Sequence, residues 1–394
     1  RQRQMCIRDR NNKVAMAKDI PVLNLLIGNY GDEEMEATLD INSRSITNSQ
    51  IIIAGATGSG KTNLLAVLIQ QFRMLSTESH YPVNFLLFDY KGEFSDIQNN
   101  HWLSLFDVDR SCILDPLTQP LPFTPFKDFT GRSINEINLY STEMSSALCS
   151  IDRVSASANM NNRLSEAIVE AYKSTNGAPI SFELMLKCYQ SRMKDANNDD
   201  SISSVLKQLV NAHIFESEDK VSLIDDSYII KMDGYPKDGP IAKAIVYFLM
   251  SKLNNIYELL DKQAVNDEVV QIRHFSIIDE AHYMLDFDNR PLRNLIAVGR
   301  NKGLSIILAT QNMSSFKSKG FDFYANAQYP LIMKQQTIDD KVIKDLFGVS
   351  GQELQEIRTA IAGLQKGELI IKDQMAFALG MGNKYKKINV THLI

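Results

Sequence analysis

Residues 50–72 read QIIIAGATGSGKTNLLAVLIQQF, and this stretch decides the fold. Gln50–Ala54 is a short, β-branched apolar run bounded by glycine, the pattern of a parallel strand buried on both faces. After it, Leu64, Leu68, Phe72 and Leu75 recur at the spacing of one helix face. Between the two lies GATGSGKT, Gly55 to Thr62, which matches G-x-x-x-x-G-K-[ST] in the strand–loop–helix setting that gives the pattern its meaning. Gly55, Gly58 and Gly60 let the backbone N–H groups of Gly55, Ala56, Thr57, Gly58, Ser59 and Gly60 turn inward as an anion nest. The helix N-terminus adds the positive end of its dipole. Lys61 is then placed to bridge β- and γ-phosphates and Thr62 to ligate Mg2+, with Asn63 closing the nucleotide-contacting run. The cofactors implied are ATP and Mg2+.

Outward from this unit a β/α alternation continues. Strands are expected at Asn84–Tyr90, Ser111–Leu114, Tyr228–Met232, His274–Ile278, Leu304–Ala309 and Gly367–Ile371, with a long helix over Ile241–Leu260. Strands spaced by helices argue for an α/β fold whose mostly parallel sheet is covered by helices on both faces. Two stretches break the rhythm. Residues 133–225 carry no convincing strand and read as a mainly helical insertion. Residues 338–363 read as a helix pair, stopped at Gly348 and restarted by a Ser350/Glu353 capping box. QPLPFTPF, Gln119–Phe126, is a proline-broken loop closing the first half. The domain reading is therefore a leader over 1–19, a first core part over 20–132, the insertion over 133–225 and a second core part over 226–394.

The chain has 394 residues, of which 44% are hydrophobic and 23% charged, which excludes wholesale disorder and leaves room for a substantial core. The longest apolar runs, around Leu23–Ile27 and Ile245–Met250, are far short of a membrane span, so no membrane anchor is expected. Cys6, Cys112, Cys149 and Cys188 form no CxxC pair and read as reduced thiols of a cytoplasmic protein. The opening RQRQMCIRDR resembles translated sequencing-adapter read-through, or else a disordered basic tail. Leaving it out removes four arginines and one aspartate and takes the net charge from −5 to −8. An acidic total does not invite nucleic acid overall but permits a local basic surface.

Further candidate residues sit at the expected carboxyl ends of strands, where open α/β sheets bind ligands. In HFSIIDEAHYM, Asp279 would hold Mg2+ through water, and Glu280 would orient or deprotonate the attacking water. GLSIILATQN ends in Thr310 and Gln311. Gln311 is either a sensor of the γ-phosphate or a polar strand cap. Pro291 starts a helix expected to carry Arg293 and Arg300 on one face, either a solvated face or a finger for the γ-phosphate of a neighbouring subunit. FDYKGEF places Asp89, Lys91 and Glu93 near the phosphates, as a loop salt bridge or in a functional role.

GATGSGKT, then DYKGE, the PFTPF turn, IIDEAH and VGRNKGLSIILATQN together resemble the HerA/FtsK superfamily of hexameric DNA-translocating ATPases, and its HerA-like branch most closely. The resemblance covers roughly residues 20–60, 84–126 and 227–380. It implies a RecA-like P-loop NTPase core, ATP sites shared between subunits of a homo-oligomer, double-stranded DNA threaded through a ring, and a nuclease partner. The small β-barrel that precedes the core in HerA-type proteins is expected to be absent or truncated. A DEAH-box helicase would need a second motor lobe with a QRxGR motif, and an ABC ATPase an LSGGQ-type signature. The sequence has neither. Lys317–Lys319 and Lys384–Lys387 are modest basic clusters, either phosphate-gripping or solvated surface, the second reading more readily as solvated surface. Two other functions stay open: a secretion- or conjugation-type ATPase acting on protein or on a DNA-transfer pore, and a nucleotide-gated scaffold for a nuclease.

Overall fold

The computed structural model describes residues 19–31, 34–96, 98, 101–151, 156–194, 198–285, 287–318, 321–373, 378–380 and 384–393. All of the expected leader except Asp19 lies outside them, as does Lys319. An antiparallel pair, β1 (Asn24–Tyr30) and β2 (Glu36–Asp40), precedes the nucleotide-loop unit of β3 (Ile51–Ala54) and α1 (Lys61–Ser76). Next come β4 (Asn84–Asp89), α2 (His101–Leu105) and the two-residue β5 (Ile113–Leu114). The expected strand at Ser111–Leu114 is shorter because Arg110–Cys112 turn as a 3-10 helix.

The stretch read from sequence as a helical insertion carries α3 (Ile134–Ile151), α4 (Ala158–Ser174), α5 (Phe182–Gln190) and α6 (Ser201–Ala212). Ser157, Ser181 and Asp200 cap the last three, each accepting a backbone N–H of the first turn. The chain returns through β6 (Tyr228–Lys231), α7 (Pro240–Leu259), β7 (His274–Ile278), α8 (His282–Leu285), α9 (Arg290–Val298) and β8 (Leu304–Thr310). A small hairpin of β9 (Lys317–Ser318) and β10 (Phe321–Asp322) leads to β11 (Tyr329–Met333). The chain then forms α10 (Asp340–Phe347), α11 (Gly351–Gly363), β12 (Glu368–Lys372) and β13 (Tyr385–Val390).

Eleven strands form one sheet in the order β2-β1-β13-β12-β11-β3-β8-β7-β4-β6-β5. From β11 to β5 every pairing is parallel, and from β11 through β12, β13 and β1 to β2 every pairing is antiparallel. Successive residues of a strand point to opposite faces, so a strand covered on both sides is apolar throughout. Ile52, Leu86, Phe88, Ile278 and Leu308 face a core shared with the insertion helices and α7. Ile51, Ile53, Phe85, Leu87, Ile277 and Ile307 face a second core built on Leu64, Leu65, Leu68 and Phe72 of α1. Each such side chain contributes on the order of 1.5–3 kcal/mol by leaving water. Helices α3 to α6 therefore share one continuous core with the sheet.

At α11 the Ser350/Glu353 capping box does not form. Ser350 is the N-cap residue but makes no side-chain cap bond, and Glu353 pairs instead with Lys384 at 3.2 Å. Gly348 ends α10 in the left-handed conformation, as its position requires.

Candidate active site

Parallel strands deliver their following loops to one edge of the sheet. β3, β8, β7 and β4 are adjacent, so the segments after Ala54, Thr310, Ile278 and Asp89 converge there. The nucleotide loop is pinned at its start: the Gly55 amide donates to Thr310 O at 3.0 Å and the Ala56 amide to Lys334 O at 2.8 Å. Gly58 and Gly60 take φ of 77° and 99°, which open the backbone into a cradle and lead into α1. Ser59 is buried, while Thr57 and Gly58 face solvent at the mouth. Lys61 folds back across the loop and donates to Gly55 O at 2.7 Å. Burial and the nearby Lys91 ammonium lower its pKa, while Glu280 and Asp279 pull the other way.

Asn63 points elsewhere. Its side chain donates to Thr391 O at 2.8 Å and accepts from the Leu393 amide at 2.9 Å, which ties the last described residues to the first turn of α1. Thr62, at the neighbouring position, keeps a partly exposed side chain beside the loop.

Asp279 and Glu280 follow β7, both fully buried. Glu280 holds a φ of 56°, a left-handed conformation that costs a non-glycine residue about 1–3 kcal/mol and persists only where surroundings enforce it. The enforcing contacts are the bond from the Ala281 amide to Ala309 O at 2.7 Å and that from the Glu280 amide to Asp279 Oδ1 at 2.9 Å. Gln311 donates to Glu280 Oε2 at 3.0 Å, so the residue following β8 reaches the carboxylate directly. Burial pushes the Asp279 carboxyl up to about 6, with Lys91 opposing and Glu280 adding to the rise.

The residue whose role stayed open in the sequence is Lys91. Its ammonium lies 2.9 Å from Glu280 Oε1 and 3.8 Å from Asp279 Oδ2. Burial works against its charge, but the two carboxylates outweigh that and raise its pKa. On Glu280 burial acts upward, yet the Lys91 and Lys61 ammonium groups and the Gln311 amide hold the carboxyl below its ordinary value. What places Lys91 is Asp89. The Oδ1 atom of Asp89 accepts the amides of Lys91 and Gly92, and Oδ2 accepts the amides of Phe94 and Ser95 and the Ser95 hydroxyl, all within 3.3 Å. The DYKGEF string carries that signal, since an aspartate closing a strand before a glycine is a loop organiser. The partner of Lys91, however, lies far along the chain.

The arginines do not join this group. α9 ends at Val298 and Arg300 follows in a 3-10 turn, so the expected shared helix face with Arg293 is absent. Arg293 pairs with Asp288 at 3.5 Å. The Arg300 guanidinium donates to Ile46 O and, at 2.9 Å, to Ser43 O. It precedes β8, whereas Gln311 follows it, so Arg300 lies at the opposite edge of the sheet from its own nucleotide loop. Among the described residues of the basic clusters, Lys384, Lys386 and Lys387 pair with Glu353, Asp373 and Glu368, and Lys317 with Asp345.

The donor set suits a hard cation with phosphate. Thr62 supplies a hydroxyl and Asp279 a buried carboxylate whose Oδ2 has the Lys91 ammonium 3.8 Å away. No group of three or more His, Cys, Asp or Glu among the described residues could hold a metal alone. A cation at this edge would therefore share its coordination with phosphate oxygens, as Mg2+ does. No helix among the described residues is long and apolar enough to cross a membrane.

The family model described as "Helicase HerA, central domain" matches residues 25–326. Among solved structures, VirB4 of Thermoanaerobacter pseudethanolicus superposes with a TM-score of 0.66 at 17% identity, covering 93% of this chain and 96% of that one. The unbound bacterial conjugative coupling protein TrwB, in its ΔN70 form, gives 0.57 at 14% identity, with 96% and 91% covered. Plasmid coupling protein TrwB in complex with ADP and Mg2+ gives 0.55 at 15% identity, with 88% and 86% covered. No curated protein matches by sequence. These likenesses identify the fold as a RecA-like P-loop NTPase core.

Proposed function

Because the chain belongs to the HerA central-domain family, we propose that it is an ATP-hydrolysing motor that translocates or remodels double-stranded DNA as a homo-oligomeric ring. The observation that carries the reading is the convergence of Lys61, Asp279, Glu280 and Gln311 on the nucleotide loop at one sheet edge. The backbone amides of residues 55–60 would cradle the phosphates of ATP, as the anion-binding geometry of the loop allows. Lys61 would leave Gly55 O for the β- and γ-phosphates. Thr62 and Asp279 would hold Mg2+, which when bound neutralises charge on the phosphate oxygens. TrwB, a structural neighbour, is described with ADP and Mg2+ and with a non-hydrolysable ATP analogue, which supports the same cofactors here. Glu280 would accept the proton of the attacking water, and Gln311 would couple the state of the phosphate to β8.

A second reading has its own support. The superposition on the bacterial conjugative coupling protein TrwB covers 96% of this chain and 91% of that one, which supports a conjugation- or secretion-type ATPase acting on protein or at a DNA-transfer pore. Steady-state ATP hydrolysis with and without linear double-stranded DNA, at low and high salt, separates the two. We expect turnover that DNA stimulates, with stimulation fading as salt rises, and no turnover in the Glu280→Gln variant. Turnover indifferent to DNA would shift the reading to a protein substrate, and equal turnover in wild type and variant would sink the catalytic assignment.

A further inference from the structure

Two lysines lie in the field of one pair of carboxylates in this site, and only Lys91 contacts them. Lys61 is the lysine of the loop motif, and the motif accounts for it. Lys91 comes from another strand, and the motif does not. Its side chain is three-quarters buried and its ammonium lies 2.9 Å from Glu280 Oε1. Its backbone is fixed by the Asp89 carboxylate through the Lys91 and Gly92 amides. Gly92 has a φ of 73°, and a Cβ there would come within 2.6 Å of Asp233 Oδ2, so the turn that aims Lys91 admits only glycine without rearrangement. A loop so completely specified, ending in a cation at the hydrolytic carboxylate, is a built contact.

The arrangement also has a chemical consequence. Glu280 is engaged on one oxygen by Lys91 and on the other by Gln311, with His282 Nδ1 3.4 Å from that second oxygen. A carboxylate paired with a cation is a weaker proton acceptor than a free one, so release of the cation makes Glu280 a better base. The cation is the one that a triphosphate would draw away: Lys91 is charged and the Gln311 amide is not, and an added terminal phosphate is the strongest nearby anion.

We propose that Lys91 is a second cation for the γ-phosphate. Paired with Glu280 in the arrangement described above, it transfers to the terminal phosphate when a nucleoside triphosphate fills the loop, and thereby frees Glu280 for the attacking water. A diphosphate, lacking that group, leaves the pair in place. Lys91 thus distinguishes ATP from ADP. This inference rests on the nucleotide-binding reading of the site.

The test is equilibrium binding, by calorimetry with Mg2+, of ADP and of a non-hydrolysable ATP analogue to wild type, Lys91→Met and Lys91→Arg. For Lys91→Met we expect analogue affinity to fall about tenfold or more, the loss of one charge-assisted contact, with ADP affinity kept within about threefold. Lys91→Arg retains the charge and should recover most of the loss. Lys91→Met leaves buried carboxylates without their cation, so the same measurement is made on Lys91→Met/Glu280→Gln, which removes that charge; the same split between nucleotides is expected. Equal weakening of both nucleotides, or of neither, overturns the proposal. Wild type that binds neither nucleotide would instead overturn the nucleotide-site reading on which it rests.

Discussion

His274 opens β7 between Asn84 of β4 and Leu304 of β8, fully buried, and neither ring nitrogen has a partner among the described residues. Burial strips water from the imidazolium and pushes the pKa down from 6.5 to about 3. The folded protein therefore holds this ring neutral while the unfolded chain protonates it below 6.5. Stability from this group is complete above pH 6.5 and is lost as pH falls toward 3, at up to about 1.4 kcal/mol per pH unit. Urea unfolding at pH 7 and pH 5 should show wild type losing about 2 kcal/mol more than His274→Phe. Parallel losses in the two proteins would refute the assignment. Legibility at this scale divides cleanly. Lys61, Asp279 and Glu280 are readable because a fixed spacing or a strand end determines where each side chain goes. His274 is not, because being stranded inside a sheet depends on which strands flank it, and neighbour order is absent from local pattern.

β4 and its loop show what one buried acceptor can organise. Asp89 receives five hydrogen bonds from residues 91–95, so its two oxygens substitute for the turn that the backbone alone would not hold. Asp89→Asn keeps the shape but turns an amide NH2 toward the amides of Phe94 and Ser95 or of Lys91 and Gly92. Buried donors then face a donor, at a cost of about 1–3 kcal/mol. Chemical unfolding at pH 7 should register that loss, and an unchanged midpoint would show that the loop holds itself. Among the strands, β3, β4, β7 and β8 are legible as unbroken apolar runs because helices cover both their faces. β1, β2 and β13 carry polar residues, since their pairing is antiparallel and one side is partly wet. β11 hides behind Pro330, a residue that argues against a central strand. It is tolerated because the Tyr329 amide already points to Gln50 O on the β3 side, and the ladder with β12 begins only at Leu331. The missing donor falls where no bond is due.

For the molecule as a whole, the two edges of the sheet set what one chain can do alone. The carboxyl edge gathers the loop lysine, the acidic pair, Gln311 and Lys91, while Arg300 stands before β8 at the other edge. β8 has seven residues, and at about 3.3 Å each the separation from the phosphate site is on the order of 20 Å, well beyond the reach of a side chain. Arg300 thus has no route to the phosphates of its own chain. If it acts on hydrolysis, it does so across a subunit boundary, with the carbonyls of Ser43 and Ile46 holding the guanidinium in a fixed direction. Ring assembly as proposed makes this testable by mixing two inactive proteins. An Arg300→Ala protomer keeps Glu280, and a Glu280→Gln protomer keeps Arg300. When they co-assemble, some boundaries combine the intact carboxylate of one with the intact arginine of the other. Mixtures should recover a measurable fraction of wild-type hydrolysis, greatest near equal proportions, while each variant alone stays inactive. Should Arg300→Ala alone hydrolyse ATP at the wild-type rate but unfold more easily, the residue is a clamp between the β2–β3 connection and the start of β8. Should co-assembled mixtures stay inactive, the arginine and the carboxylate serve no shared site.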